Sequence, residues 1–119
     1  MRVRALRGAT SVDNDRAEDI TEATSELLAR MMALNHVGAG DLVSILFTAT
    51  PDLRAGFPAA AARELGLGDV PLLCASEIDV AGGLARCIRV LMHLYSERTP
   101  AELRHVYLRD AHSLRPDQS

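Results

Sequence analysis

The stretch CIRVLMHLY, residues 87–95, is mostly apolar but carries an arginine, Arg89, near its middle. A period of two fits the run, because one face of an extended chain would then hold only apolar residues: Ile88, Val90, Met92 and Leu94. Arg89 falls on the other face, among partly apolar neighbours. We therefore predict a strand over 87–95, in which Arg89 either reaches outward to solvent or serves a functional site.

Length and composition indicate a single domain over residues 1–119. A chain of this size buries only a modest core, and oligomerisation would add to it. No apolar run reaches the roughly 18 to 20 residues of a membrane span, and the amino terminus MRVRALRG lacks the apolar core of a signal peptide. We expect a cytoplasmic protein that does not associate with a membrane.

The net charge of -3 and the small number of aromatic residues argue against a nucleic-acid partner. Cys74 and Cys87 lack the spacing of metal ligands, and the four histidines are scattered along the chain. We therefore predict reduced thiols, with neither a disulfide framework nor a zinc site. All 13 basic residues are arginines, whose planar guanidinium group suits carboxylates and phosphates.

Helix and strand signals alternate along the chain. Asp15 as an N-cap with Glu18 three residues later predicts the start of a long amphipathic helix, and Thr99 with Glu102 predicts a short one. The predicted helices cover 16–36, 58–65 and a turn or two from residue 99. The predicted strands cover 2–6, 42–50, 70–78, 87–95 and 104–109. This interleaving favours an α/β or α+β domain around one main sheet.

Several polar residues lie in or beside the predicted strands: Arg7, Glu77, Arg89, Tyr107 and Arg109. Three arginines, an acid and a phenol are candidates for one shared site. Each residue alone also fits a solvated position, Glu77 as an acid at a strand end and Tyr107 as an aromatic at a sheet edge. Periodicity does not show whether the side chains converge.

Five segments of the chain together form a more specific pattern. They are RGAT (7–10), TATPDL (48–53), FPAAAAREL (57–65), CASEIDVAGGLARCIRVL (74–91) and RHVYLRDAHSLRPD (104–117). In order and spacing they resemble the small monofunctional chorismate mutase of bacteria, of the mixed α/β trimeric type rather than the all-helical type. The resemblance runs nearly from end to end of the chain.

The resemblance implies an α+β fold in which a mixed β-sheet with flanking helices packs three to a homotrimer. The three sheets would form a barrel-like core, a pseudo α/β barrel, with active sites at the subunit interfaces. It also implies that the protein converts chorismate to prephenate, a step toward phenylalanine and tyrosine.

Position by position, the resemblance assigns the polar site of one subunit to four residues: Arg7, Glu77, Arg89 and Tyr107. The neighbouring subunit would contribute Phe57, against the substrate ring, and Arg63. Cys74 and Leu114 would line the pocket. Arg115 would lie on a mobile tail near the pocket mouth and, with Arg63, would attract the dianionic substrate.

The chemistry of this reaction gives Arg89 a physical role. An ether C–O bond breaks ahead of full C–C bond formation, so the ether oxygen becomes partly negative in the transition state. A fixed Arg89 guanidinium would stabilise that charge more than the neutral ether of the substrate, which raises the rate. Arg7 and Tyr107 would hold the carboxylate of the enolpyruvyl arm, and Glu77 would accept a hydrogen bond from the ring hydroxyl. The rearrangement is intramolecular and requires no nucleophile, general base, metal or organic cofactor.

The sequence also departs from the family pattern and leaves questions open. Ala60 stands where members often carry a lysine and Leu73 where they carry a small hydroxyl residue, which bears on substrate affinity. Strict alternation places Cys74 and Glu77 on opposite faces, so the strand must twist, bulge or end between them if both line the site.

Two other functions are alternatives to a chorismate mutase. One is a trimeric carboxylate-binding or regulatory module of the same fold that has lost catalysis. The other is a structural interaction domain whose arginines are surface charges.

Overall fold

The computed structural model describes residues 1–114. In this range the chain forms five strands and two α-helices: β1 (Arg2–Ser11), α1 (Ala17–Leu34), β2 (Leu42–Ala49), α2 (Ala59–Glu64), β3 (Leu72–Ser76), β4 (Cys87–Ser96) and β5 (Val106–Tyr107). Two short 3-10 helices cover Ala39–Asp41 and Arg109–Ser113. None of the helices in the described range is long and apolar enough to cross a membrane.

All five strands join one mixed sheet in the order β3-β2-β4-β1-β5. The predicted strand over 87–95 is the central one, since β4 pairs antiparallel with β1 on one side and with β2 on the other. The outer strands β3 and β5 run parallel to their neighbours β2 and β1. A mixed sheet with two helices confirms the predicted α+β fold class.

One face of the sheet is covered by both helices. Apolar residues of α1, α2, β1, β2 and β4 share a single buried cluster, in which Leu28 and Phe47 are completely buried. α1 approaches β1 closely at Gly8, where an added Cβ atom would lie 2.4 Å from the Met31 sulfur. Neither α-helix contributes to the other face, where Leu46 and Leu91 remain partly exposed. We refer to these as the helix-covered face and the open face.

The predicted start of the first helix is one residue early, and Asp15 is not its N-cap. The N-cap is Arg16, whose side chain forms no capping hydrogen bond, and the helix ends at Leu34 rather than at residue 36. Asp15 Oδ1 instead accepts hydrogen bonds from the backbone N–H groups of Arg54 and Ala55, each at 2.9 Å. The carboxylate satisfies donors in the loop after β2, a tertiary contact that local sequence does not reveal.

The predicted helix after residue 99 is wrong, because the chain forms only a turn there. The capping contact itself is present, since the Thr99 backbone N–H donates to Glu102 Oε1 at 2.9 Å. Asn35 then holds the backbone of Arg104 on both sides, accepting from its N–H at 2.8 Å and donating to its carbonyl at 3.0 Å. This contact with the end of α1 keeps the following segment extended.

Strand lengths also differ from the predictions. β1 continues to Ser11 because it pairs with β4 over its whole length, so that Arg7 lies inside the strand rather than at its end. β3 covers only Leu72–Ser76 of the predicted 70–78. β5 has two residues instead of the predicted 104–109, and it stops before Arg109, whose φ of 52° is incompatible with a strand.

Candidate active site

Four of the predicted site residues meet in one cavity of about 400 Å³ on the open face. They are Arg7 of β1, Glu77 of the segment after β3, Arg89 of β4 and Tyr107 of β5. The remaining lining is mostly apolar or small and includes Leu46, Thr48 and Leu91. We call this the site cavity.

Strand register explains why these side chains converge. Arg89 on β4 lies directly between Ala9 on β1 and Thr48 on β2, so all three residues share the open face. Arg7 is two residues from Ala9 and therefore points the same way. Tyr107 pairs with Ala9 from the other side of β1. Four neighbouring strands thus carry the floor of the site cavity.

Glu77 enters the cavity from the residue directly after β3. Its backbone N–H donates to the Ala49 carbonyl at 2.9 Å, which anchors the segment at the end of β2. The question raised by alternation is thereby answered: β3 ends at Ser76, between Cys74 and Glu77. Cys74 pairs in register with Phe47 and packs on the core of the helix-covered face, away from the site cavity of its own chain.

The Glu77 carboxylate is held by a hydroxyl and lies near a cation. Thr48 Oγ1 donates to Glu77 Oε1 at 2.5 Å. Arg89 Nε lies 3.5 Å from the same oxygen, and the two side chains are 47% and 25% exposed. Water therefore screens this ion pair, and the arginine keeps part of its surface available to a ligand.

Arg7 and Tyr107 are fixed at the junction of β1 and β5. The Arg7 backbone N–H donates to His105 Nδ1 at 3.0 Å, just before β5 begins. Tyr107 is only 7% exposed and is buried with Ala9 and Ala111. Leu114 packs against this small cluster and so lies beside the site cavity, although it is not part of the lining.

The second group of predicted residues lies elsewhere on the chain. Phe57 and Cys74 line another cavity, of about 510 Å³, and the Phe57 side chain is 73% exposed. Arg63 is exposed in the last turn of α2. Within one chain the structure therefore does not bring Phe57, Cys74 or Arg63 to the site cavity. Arg115 falls outside the described residues.

Sequence reasoning missed the direct cross-strand partner of Arg89. Thr48 belongs to the TATPDL segment, but its position opposite Arg89 depends on the pairing of β2 with β4. Cys87, two residues before Arg89, lines a third cavity that shares Glu77 and Arg89 with the site cavity. Burial raises the pKa of the Cys87 thiol, although the Arg89 guanidinium opposes the shift, so this cysteine stays protonated at neutral pH.

Comparison with known proteins decides the family. The family model described as chorismate mutase type I matches residues 3–118 of this chain. The chain belongs to the type I chorismate mutase family. It is 47% identical to chorismate mutase AroH of Bacillus subtilis (strain 168) over 120 residues, which cover 100% of this chain and 94% of that protein. It is 49% identical to chorismate mutase AroH of Thermus thermophilus over 117 residues, covering 97% and 95%.

A solved chorismate mutase has the same architecture. A chorismate mutase from Clostridium thermocellum superposes with a TM-score of 0.91 at 44% identity, covering 92% of this chain and 98% of that one. Family membership confirms the predicted enzyme class and function. This type I chorismate mutase is an isomerase of aromatic amino acid biosynthesis, with chorismate as substrate and prephenate as product.

Proposed function

We propose that the site cavity is where this chorismate mutase rearranges chorismate to prephenate. The observation that carries the proposal is the meeting of Arg7, Glu77, Arg89 and Tyr107, from four separate segments, around one space of about 400 Å³. A cavity of this size suits a small organic acid. Two arginines in an otherwise largely apolar lining suit a substrate with two carboxylates.

Arg89 is proposed as the main catalytic residue. Arg89 lies in the central strand β4, which is paired with β1 on one side and with β2 on the other. Its guanidinium therefore needs little reorganisation when charge develops on the ether oxygen. Its ion pair with Glu77 uses Nε at 3.5 Å, which leaves the terminal nitrogens for the substrate. A preorganised donor of this kind contributes about 3 kcal/mol or more to transition-state stabilisation.

The other three residues are proposed to hold the substrate in a reactive conformation. Arg7 and Tyr107 would bind the carboxylate of the enolpyruvyl arm and keep the arm over the ring. Glu77 would accept a hydrogen bond from the ring hydroxyl. The near-complete burial of Tyr107 restricts its ring, which favours a defined position for the phenol.

A neighbouring subunit is proposed to complete the site. Phe57, Arg63 and Cys74 are separated from the site cavity within one chain, and the aromatic side chain of Phe57 is largely exposed. A second chain placed against the open face would bring these residues over the cavity, as expected for a homotrimer. Leu114 and Arg115 would then lie near the cavity mouth, and Leu73, 61% exposed on the edge strand, would approach the pocket.

Two further expectations stay predictions. Residues 1–119 are expected to form one domain, and the enzyme is expected to be cytoplasmic. The reaction itself supplies all atoms of the product, so we expect activity without an added metal or organic cofactor.

A chorismate-disappearance assay on the purified protein tests the proposal. We expect turnover that is abolished by Arg89→Ala, and tight binding of a bicyclic dicarboxylate that mimics the transition state. Binding of this mimic without turnover would instead indicate a module that has lost catalysis. Neither binding nor turnover would indicate a structural domain whose arginines are surface charges.

A further inference from the structure

We propose that Thr48 is a positioning residue of this reaction. Its hydroxyl fixes the orientation of the Glu77 carboxylate beside Arg89, so that the two do not close into a direct bidentate pair and the arginine remains available to the substrate. The inference rests on the proposed function, because it assigns a role within the same site cavity.

The position of Thr48 connects the two charged groups at the centre of the site. Thr48 lies on β2 directly opposite Arg89 and lines the site cavity. Its hydroxyl donates to Glu77 Oε1 at 2.5 Å, although Glu77 belongs to a different segment, beyond the end of β3. One side chain thus fixes where the carboxylate sits relative to the cation.

The distance between Glu77 and Arg89 reflects this arrangement. Arg89 Nε is 3.5 Å from Glu77 Oε1, longer than the roughly 2.7 to 2.9 Å of a charge-assisted hydrogen bond. Both side-chain contacts of Glu77 within residues 1–114 use Oε1, the atom that accepts the Thr48 hydroxyl. The other oxygen, Oε2, is left for a ligand.

Loss of the hydroxyl would change both charged groups. Without Thr48 the carboxylate is free to rotate toward Arg89 and form a direct, bidentate pair, which such groups favour. The pair would partly neutralise Arg89 where the ether oxygen requires a cation, which lowers kcat. It would also withdraw the acceptor for the ring hydroxyl, which raises KM.

The first experiment compares three variants by steady-state kinetics. Thr48→Val removes the hydroxyl at nearly constant shape and is expected to lower kcat/KM by about 10- to 100-fold, mostly in kcat, with an unchanged Tm. Thr48→Ser keeps the hydroxyl and should stay within about threefold of the wild type. An equal loss in the Val and Ser variants would overturn the inference, because the hydroxyl would then be irrelevant.

Ser44→Ala is a matched control for these variants. Ser44 lies on the same strand and face as Thr48, and its hydroxyl contacts the cross-strand His93 Nδ1 at 3.2 Å. It is outside the site cavity. We expect unchanged kcat and KM for Ser44→Ala; a loss like that of Thr48→Val would indicate a general effect of open-face hydroxyls and would overturn the specific role.

A double-mutant cycle tests whether Thr48 acts through Glu77. In a Glu77→Ala background, Thr48→Val should cause no further loss of activity or of affinity for the transition-state mimic. An equal loss in both backgrounds would overturn the inference, because Thr48 would then act on the ligand directly or on the fold. If the wild type does not convert chorismate, the proposed function fails; if it does and Thr48→Val is fully active, only this inference fails.

Discussion

The helix-covered face and the open face of the sheet are built from the same strands, but the first carries the core and the second carries the site cavity. On β2, Phe47 is completely buried beneath α1 and α2, whereas its neighbours Leu46 and Thr48 line the site cavity. On β4, Val90 belongs to the core and Arg89 belongs to the site. Adjacent residues of one strand therefore contribute to stability on one face of the sheet and to the site on the other.

This division explains how an arginine is tolerated in the central strand. The larger buried core lies on the helix-covered face, so the open face can carry polar residues, and the strand backbone fixes where those residues lie. Polar residues on the open face are then available for electrostatic preorganisation. Substitutions on the two faces should accordingly give different phenotypes: loss of activity on the open face and loss of stability on the helix-covered face.

The largest effect is expected on the open face, at Arg89. Arg89→Ala should lower kcat/KM by at least about 100-fold while far-ultraviolet circular dichroism and Tm stay close to the wild type. Arg89→Lys should also be severely impaired, because an ammonium group does not reproduce the fork of a guanidinium. Near-normal turnover in Arg89→Ala would remove the proposed mechanism.

A complementation experiment asks whether the open face is covered by a second chain. Arg63→Ala and Arg89→Ala proteins, unfolded and refolded together, should form mixed trimers in which one of the three interface sites carries both arginines. Activity should reappear only after mixing. Mixed trimers confirmed by mass spectrometry but lacking activity would indicate sites built within one subunit.

The helix-covered face should control stability. Phe47→Ala is expected to lower the free energy of unfolding by about 3 to 5 kcal/mol, because a fully buried ring is lost from the core. Leu46→Ala, one residue away on the open face, should cost clearly less. Denaturant unfolding of both variants at equal protein concentration measures the difference, and equal costs would contradict the division between the faces.

A smaller effect is expected at the carboxyl terminus, beside the open face. A chain that ends after Ser113 should show a raised KM and a kcat within roughly tenfold of the full chain, because Arg115 would attract substrate without touching the ether bond. A chain that ends after Leu114 is the matched control, since it keeps the packing of Leu114 on Ala9 and Tyr107. A kcat collapse with folding intact would place Leu114 or Arg115 in direct contact with the reacting atoms. A lower Tm would show that the tail packs permanently.

The smallest effect concerns Asp52, just beyond β2. Burial tends to raise the pKa of this carboxyl, but hydrogen bonds from the Thr50 hydroxyl and the Arg86 backbone N–H outweigh it and lower the pKa below 3.8. A lowered pKa stabilises the folded state at pH values above 3.8, and this contribution is lost as the pH falls through the folded-state pKa. Because Asp52 is exposed and water screens its charge, Asp52→Asn should lower Tm only slightly at neutral pH.

The pH dependence provides the check on Asp52. The Tm difference between wild type and Asp52→Asn should shrink as the pH falls through the lowered pKa, because the wild-type carboxyl is then protonated. Asp13→Asn, at an exposed acid two residues after the end of β1, is the control and should leave Tm unchanged. A Tm difference that persists in strong acid would show that the carboxylate charge is not responsible.

Much of the fold was predictable because its signals are local. Alternation in residues 87–95 identified β4 and the face that carries Arg89, and Gly66, with a φ of 81°, ended α2 as expected. The local signals failed where a distant residue intervened. Asp15 binds the loop at Arg54 instead of capping α1, and Asn35 holds Arg104 extended after the Thr99 turn.

The sequence by itself predicted a strand over 87–95 and, through its resemblance to one family, the α+β class and the four proposed site residues. Only the tertiary structure decided that Arg7, Glu77, Arg89 and Tyr107 share one cavity and that Thr48 lies against Glu77. The reason is physical: alternation assigns a side chain to a face, but register between strands decides its neighbours. Register depends on long-range pairing, such as Thr48 opposite Arg89, which no local pattern encodes.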